Sequence, residues 1–310
     1  MRILIVGAGA TGGLFGVKLA QAGADVTFLV RPGRKQQLTD RGLRLLSGPD
    51  ETVVKPVLLD ADQVQESGKP FDLVLLTVKN PALDSALTDL APAVGPDTLV
   101  LPVLNGVRHI DVLRDRFGAE RVVAAAARVV TSLTDDGDIR QLAPTAELQI
   151  GALPGADLDL APVRDALAVE GIQVTVEDDI ESALWAKWAF IASVGAVTTL
   201  GGGTVGDVAR VPGGTGVSKA ILDEIGSVFT AAGHPLPDPF RKSLSAQLSD
   251  VASGLTSSMY RDLLTDRPTE HESILGDLSG VGDHVSVPTP TLNAALVRLR
   301  VRAESRKLQS

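Results

Sequence analysis

The first thirty residues constrain the fold most. A short apolar run, Arg2–Val6, leads into Gly7-Ala8-Gly9-Ala10-Thr11-Gly12, and a helical pattern follows over residues 11–22, closed by Gly23. A G-x-G-x-x-G turn between a strand and a helix has a specific physical task. The first glycine permits the tight turn, the second lets backbone approach a pyrophosphate, and the third lets the helix pack close to the strand. The helix amides and dipole then face an anion. Residues 7–12 are therefore candidate dinucleotide contacts.

The next 150 residues repeat the logic. Residues 25–30, 72–78 and 98–103 are β-rich, and DLVLLTV and TLVLPV are continuous apolar runs, as expected of strands covered on both faces. A helical segment at 81–90 separates the last two, so the order is β-α-β and the sheet parallel and doubly wound. Residues 121–133 and 147–150 are also β-like, with Asp135-Asp136-Gly137 as a hairpin turn between them. A helix at 161–169 and a strand at 173–176 complete this part.

After Asp178 the texture becomes helical, with segments at 180–197, 216–232, 239–253, 270–280 and 291–305. The expected class is α/β: a Rossmann-type domain over 1–177 and an all-helical domain over 178–310 that carries substrate and catalysis. The 310 residues suffice for two domains.

The end of the second strand bears on the choice of dinucleotide. NAD sites place a carboxylate there to bind the ribose 2′-hydroxyl. This chain has Val30-Arg31-Pro32-Gly33-Arg34-Lys35. A guanidinium suits a 2′-phosphate and cannot accept a hydrogen bond from a hydroxyl, so Arg31 points to NADP(H); a solvated basic loop is the competing explanation. Lys79 and Asn105 follow the next two strands, at the carboxyl edge where such sheets bind ligands. Ordinary turn chemistry accounts equally for Asn105.

Lys187 is the only charge in ALWAKWAFIASVGAV, flanked by the chain's two tryptophans, Trp185 and Trp188. Desolvation disfavours an ammonium, and a lysine tuned in this way can donate a proton near neutrality. A lysine snorkelling from a half-exposed helix would give the same pattern. Glu270 and Glu272 are available as carboxylate partners.

Composition excludes other classes. The chain has no cysteine, so thiolate nucleophiles, disulfides and cysteine-bound metals are ruled out. A net charge of −9 argues against nucleic acid. The four histidines lack metal-like spacing. No serine lies in a G-x-S-x-G elbow. The apolar stretch 183–197 is shorter than a bilayer span of about 20 residues. With no signal-peptide pattern, the expected location is cytoplasmic and away from membranes.

In order, MRILIVGAGATGG, VTFLVRPGR, LLTVKN, LPVLNGV, LWAKW and SSMYRDLLTDRPTEHESILGDL resemble the ketopantoate reductase (2-dehydropantoate 2-reductase) family over nearly the whole length. The resemblance implies NADPH-dependent reduction of a 2-keto acid to a 2-hydroxy acid, most readily 2-dehydropantoate to pantoate in pantothenate biosynthesis. It implies Lys187 as general acid and Glu270 as the acidic residue beside the substrate. Ser258 would bind substrate, Asn105 would stand where cofactor and substrate meet, and Arg31 and Lys79 would bind cofactor. The implied partners are the small keto acid and, as a candidate assembly, a second copy of the chain. Three positions depart from the family pattern: Ile191, Gly195 and Leu255 stand where asparagines hold a polar substrate. A same-family reductase of a more apolar ketone is one alternative, and a non-catalytic NADP(H)-binding sensor the other.

Overall fold

The computed structural model describes residues 1–308. The chain forms two compact units, Met1–Leu104 with His109–Ala183, and Asn105–Arg108 with the chain from Leu184 onward.

The first unit begins with β1 (Arg2–Val6), α1 (Ala10–Gln21), β2 (Asp25–Leu29), α2 (Pro32–Arg41), β3 (Leu43–Ser47), β4 (Asp50–Val54) and β5 (Val57–Leu59). It continues through α3 (Ala61–Ser67), β6 (Leu73–Leu76), α4 (Leu83–Leu90), β7 (Leu99–Pro102) and α5 (Arg108–Phe117). Then come β8 (Val123–Arg128), β9 (Thr131–Leu133), β10 (Ile139–Gln141), β11 (Ala146–Ala152), α6 (Ala161–Leu167) and β12 (Ile172–Val176).

Five strands make a parallel sheet in the order β5-β2-β1-β6-β7. The chain moves outward from β1 in one direction, then returns to place β6 on the other side of β1. That reversal is the topological switch point, where α/β sheets take their ligands. All four residues of β6 are buried, as are Ile3, Leu4, Ile5 and Val6 of β1. Their unbroken apolar pattern reflects cover on both faces.

A second sheet, β4-β3-β10-β9, lies against α1, which also packs on β1 and β2. Sandwiched in this way, α1 (ATGGLFGVKLAQ) is apolar nearly all round rather than striped. A third sheet, β12-β11-β8, completes the unit. The Asp135-Asp136-Gly137 turn does close a hairpin, but its strands are β9 and β10. Segment 147–150, expected to be its return strand, is part of β11 and pairs with β8 and β12 instead. The three-residue β10, with exposed Arg140 at its centre, carries too little alternation to be read from sequence.

The second unit contains α7 (Ile180–Gly201), α8 (Val205–Arg210), α9 (Gly214–Ala231), α10 (Asp238–Leu248), α11 (Ser258–Leu264), α12 (Asp277–His284) and α13 (Pro290–Lys307). The first residues of α7, up to Ala183, belong to the first unit, where the Asp179 carboxylate caps the helix by accepting from the Ser182 amide and hydroxyl at 3.0 and 2.6 Å. The helix runs four residues beyond the expected end. At 22 residues it is long and apolar enough to cross a membrane, so the length argument from sequence does not hold. Its apolarity has another cause: 61 % of that apolar window is buried within the protein. Trp188, Ala189, Ala192, Val194, Ala196 and Val197 form a core with residues of α9 to α13. The segment expected to be helical over 270–280 is helical, but Glu272–Gly276 within it is a π turn that runs into α12.

Candidate functional site

In the first unit the glycine turn follows β1 directly, at the switch point. Gly7 has φ of +99°, which strongly favours glycine. A Cβ on Gly12 would lie 2.1 Å from the Gly7 carbonyl oxygen and 2.2 Å from Thr77 Oγ1, so helix and strand approach closely only because none is there. Thr77, just past β6, donates to the Val6 and Gly7 carbonyls at 3.0 and 2.9 Å and ties the turn to the neighbouring strand. Above Gly9 a Cβ would meet nothing within 4 Å. Ala10, Thr11 and Gly12 open α1, so their amides have no carbonyl four residues back in the helix to bond. An open backbone surface with unpaired donors at a helix N-terminus fits a dinucleotide pyrophosphate.

The three cations after β2 have different fates. Arg34 donates from Nε and Nη2 to the Ala8 carbonyl at 3.1 and 2.9 Å, and from Nη2 to the Gly137 carbonyl at 2.9 Å. Lys35 pairs with Asp60 at 2.5 Å and with Gln63. Arg31, the N-cap of α2, is exposed, and among the described residues its guanidinium has no hydrogen-bond or ion-pair partner. Its donor fork is thus uncommitted among the described residues. Lys79 is exposed at the start of a short 3₁₀ turn after β6.

In the second unit Lys187 lies on α7. The residue is partly buried, and its amine is pushed from 10.5 down to about 8, chiefly by desolvation, against the Glu270 carboxylate, which pulls it upward. At neutral pH such an amine is mainly ammonium, yet far readier to release a proton than an ordinary lysine. The other carboxylate offered by the sequence, Glu272, is engaged elsewhere: Arg300 donates to both its oxygens at 2.7 Å and holds it well below the usual carboxylate range. Burial holds the His271 pKa below its ordinary value, and its Nδ1 lies 2.7 Å from Thr269 Oγ1.

The π turn shapes this group. The Glu270 carbonyl accepts from the Ser273 hydroxyl at 3.1 Å and the Ile274 amide at 3.2 Å. Trp188, next to Lys187, donates Nε1–H to the Ile274 carbonyl at 2.9 Å in a buried setting. Trp185 stacks on His234 at 4.1 Å and meets Phe229 edge-on at 4.6 Å. Thus the tryptophans that flagged Lys187 tie its helix to the neighbouring segments of this unit. Asn105 belongs to this unit, and its Nδ2 donates to Glu270 Oε2 at 3.3 Å. Gly106 passes so close to the π turn that a Cβ would sit 2.5 Å from the Ser273 carbonyl oxygen. Ser258 is exposed at the first position of α11, while its neighbour Ser257 is buried, capping that helix and lying 2.9 Å from Thr198 Oγ1.

The model of the ketopantoate reductase PanE/ApbA family matches residues 3–155, and that of its C-terminal part matches 179–303. A 2-dehydropantoate 2-reductase of Halobacterium salinarum is 30 % identical over 97 % of this chain and 99 % of its own. An uncharacterized oxidoreductase, YkpB, of Bacillus subtilis is 28 % identical over 97 % of this chain and 98 % of its own. Among solved structures, a PanE/ApbA family ketopantoate reductase from Ralstonia eutropha superposes with a TM-score of 0.86 at 27 % identity, covering 99 % of this chain and 100 % of that one.

The chain belongs to the ketopantoate reductase family. It is accordingly an oxidoreductase acting on CH–OH groups, in a family that uses a nicotinamide cofactor. Three positions, Ile191, Gly195 and Leu255, depart from the asparagines of the family pattern. Ile191 and Leu255 are partly buried and pack against the core. At Gly195 the place of a side chain is taken by Met259, whose methyl lies 2.2 Å from where a Cβ would stand.

Proposed function

We infer that this chain reduces a 2-keto acid to the 2-hydroxy acid with NADPH, Lys187 protonating the carbonyl oxygen. The observation that carries this is the Lys187 amine, brought to about 8 by desolvation with Glu270 opposing. Bound reduced nicotinamide supplies a hydride to the carbonyl carbon. The glycine turn would hold the pyrophosphate, Arg31 the 2′-phosphate, and Lys79 the cofactor alongside them. Lys187 would give its proton as charge develops on oxygen, which is where a positioned donor lowers a barrier most. Glu270 supports the ammonium form and would bind substrate; Asn105 orients that carboxylate and Ser258 offers a hydroxyl. The sum is keto acid, NADPH and a proton giving hydroxy acid and NADP⁺.

Two substrates follow from different observations. Family membership favours 2-dehydropantoate. Ile191, Leu255 and the Met259 methyl at Gly195 favour a keto acid with an apolar substituent, since they offer no partner to a substrate hydroxyl. The test follows NADPH absorbance with 2-dehydropantoate and with branched or aryl 2-keto acids, in the wild type and in Lys187→Ala. Turnover of either class that Lys187→Ala removes supports the reading. Turnover of neither, or turnover untouched by Lys187→Ala, overturns it.

A further inference from the structure

Arg34 plays no part in the reading above, although it has the densest set of hydrogen bonds near the glycine turn. Its guanidinium is part-buried between two backbone carbonyls from distant parts of the chain. Nε and Nη2 converge on Ala8, and Nη2 also reaches Gly137 in the β9–β10 turn. Nη1 donates to Gln37 Oε1 at 2.5 Å, and Gln37 in turn donates to the Asp136 carbonyl at 2.6 Å. Gly137 has φ of +78°, and a Cβ there would fall 2.5 Å from Nη1, so the guanidinium occupies the space that a side chain at 137 would need.

The Ala8 carbonyl belongs to the peptide that joins Ala8 to Gly9. In a trans peptide the C=O and N–H point in opposite directions. Two donors fixed on the oxygen therefore fix the direction of the Gly9 N–H, which is aimed away from Arg34. A cationic donor on the oxygen also polarises the peptide and makes that N–H a stronger donor. Gly9 is the residue over which the turn is open. We propose that Arg34 is a positioning residue for the cofactor pyrophosphate: clamped by the β9–β10 hairpin, it orients the Ala8–Gly9 peptide so that the Gly9 N–H is presented to the phosphate oxygens. The proposal rests on the nicotinamide dinucleotide reading of the turn. It divides the basic segment after β2 into two tasks, with Arg31 reading the ribose phosphate and Arg34 acting through the backbone on the pyrophosphate.

The test is calorimetric binding of NADP⁺, NAD⁺ and adenosine 2′-monophosphate, which lacks the pyrophosphate, to the wild type, Arg34→Met and Arg34→Lys. Near-ultraviolet circular dichroism checks that each variant is folded. Arg34→Met is expected to weaken both dinucleotides by a similar factor, roughly ten- to hundredfold, and to leave the monophosphate within about twofold. Arg34→Lys should recover part of the loss, because an ammonium keeps the charge but loses the fork. If Arg34→Met does not fold, Arg34→Lys alone still shows the selective loss at a smaller factor. Unchanged dinucleotide binding overturns the proposal, and so does an equal loss for the monophosphate. A wild type that binds neither dinucleotide overturns the cofactor reading as well, which separates the two failures.

Discussion

Asn105 Nδ2 lies 3.3 Å from Glu270 Oε2, joining residues 165 apart in the chain. A carboxylate oxygen accepts, so the Asn105 amide presents its NH₂ to Glu270. The pair also fixes the carboxylate whose charge holds up the Lys187 pKa. The pH dependence of turnover follows from it. With Lys187 as the proposed proton donor, the active form would be the ammonium, present below about 8 and lost above it. The single-turnover rate of reduction should be level below that value and fall about tenfold per pH unit above it. Glu270→Gln removes the influence that raises the pKa, so its break should move toward acid. A break left in place, or moved toward alkali, would mean that another group donates the proton.

Arg31 is exposed and unpartnered among the described residues, whereas Arg34 and Lys35 are committed within the protein. Arg31→Ala should therefore weaken NADPH by about ten- to hundredfold, the usual worth of charge-assisted hydrogen bonds, and leave NADH within about twofold. Equal losses for both cofactors would show that the 2′-phosphate is read elsewhere.

Trp188→Phe keeps the aromatic bulk and deletes one donor. The buried Ile274 carbonyl then loses the indole N–H that bonds it at 2.9 Å. The expected cost is about 1–3 kcal/mol, read as a lower urea midpoint with an unchanged m-value. A midpoint equal to wild type would mean that the carbonyl finds another donor.

Gly195→Asn must displace the Met259 methyl, which stands 2.2 Å from the new Cβ. Overpacking of this kind costs about 1–3 kcal/mol. Shortening the methionine in Gly195→Asn/Met259→Ala should recover part of that, giving a coupling of about 0.5–3 kcal/mol in a double-mutant cycle. Additive effects would show that the methionine swings aside freely.

The parts of this molecule that declare themselves locally were legible in its sequence. The glycine turn, the apolar runs of β1, β6 and β7, and the lone charge on α7 each carry their own physical signature. What escaped depends on partners far along the chain. Nothing local assigns the short strand β10 to β3, and nothing local shows that Arg34 is committed to the Ala8 and Gly137 carbonyls. A faint signal did exist for the two glutamates: Arg300 falls on the long last helix, where it can neutralise one of them. Choosing which one required the π turn, and a helical repeat read from sequence does not reveal a widened turn.

That widened turn has a consequence for chain register. A π turn is an ordinary helix with one residue too many. Deleting any single residue between Glu272 and Gly276 would let the backbone relax to a regular α-helix. Every residue upstream would then be rotated by about 100° relative to α12. The Glu270 carboxylate would swing off its bearing toward Asn105 and Lys187, although all three residues would survive intact. The influence of Glu270 on the Lys187 amine therefore depends on a surplus residue that has no chemistry of its own.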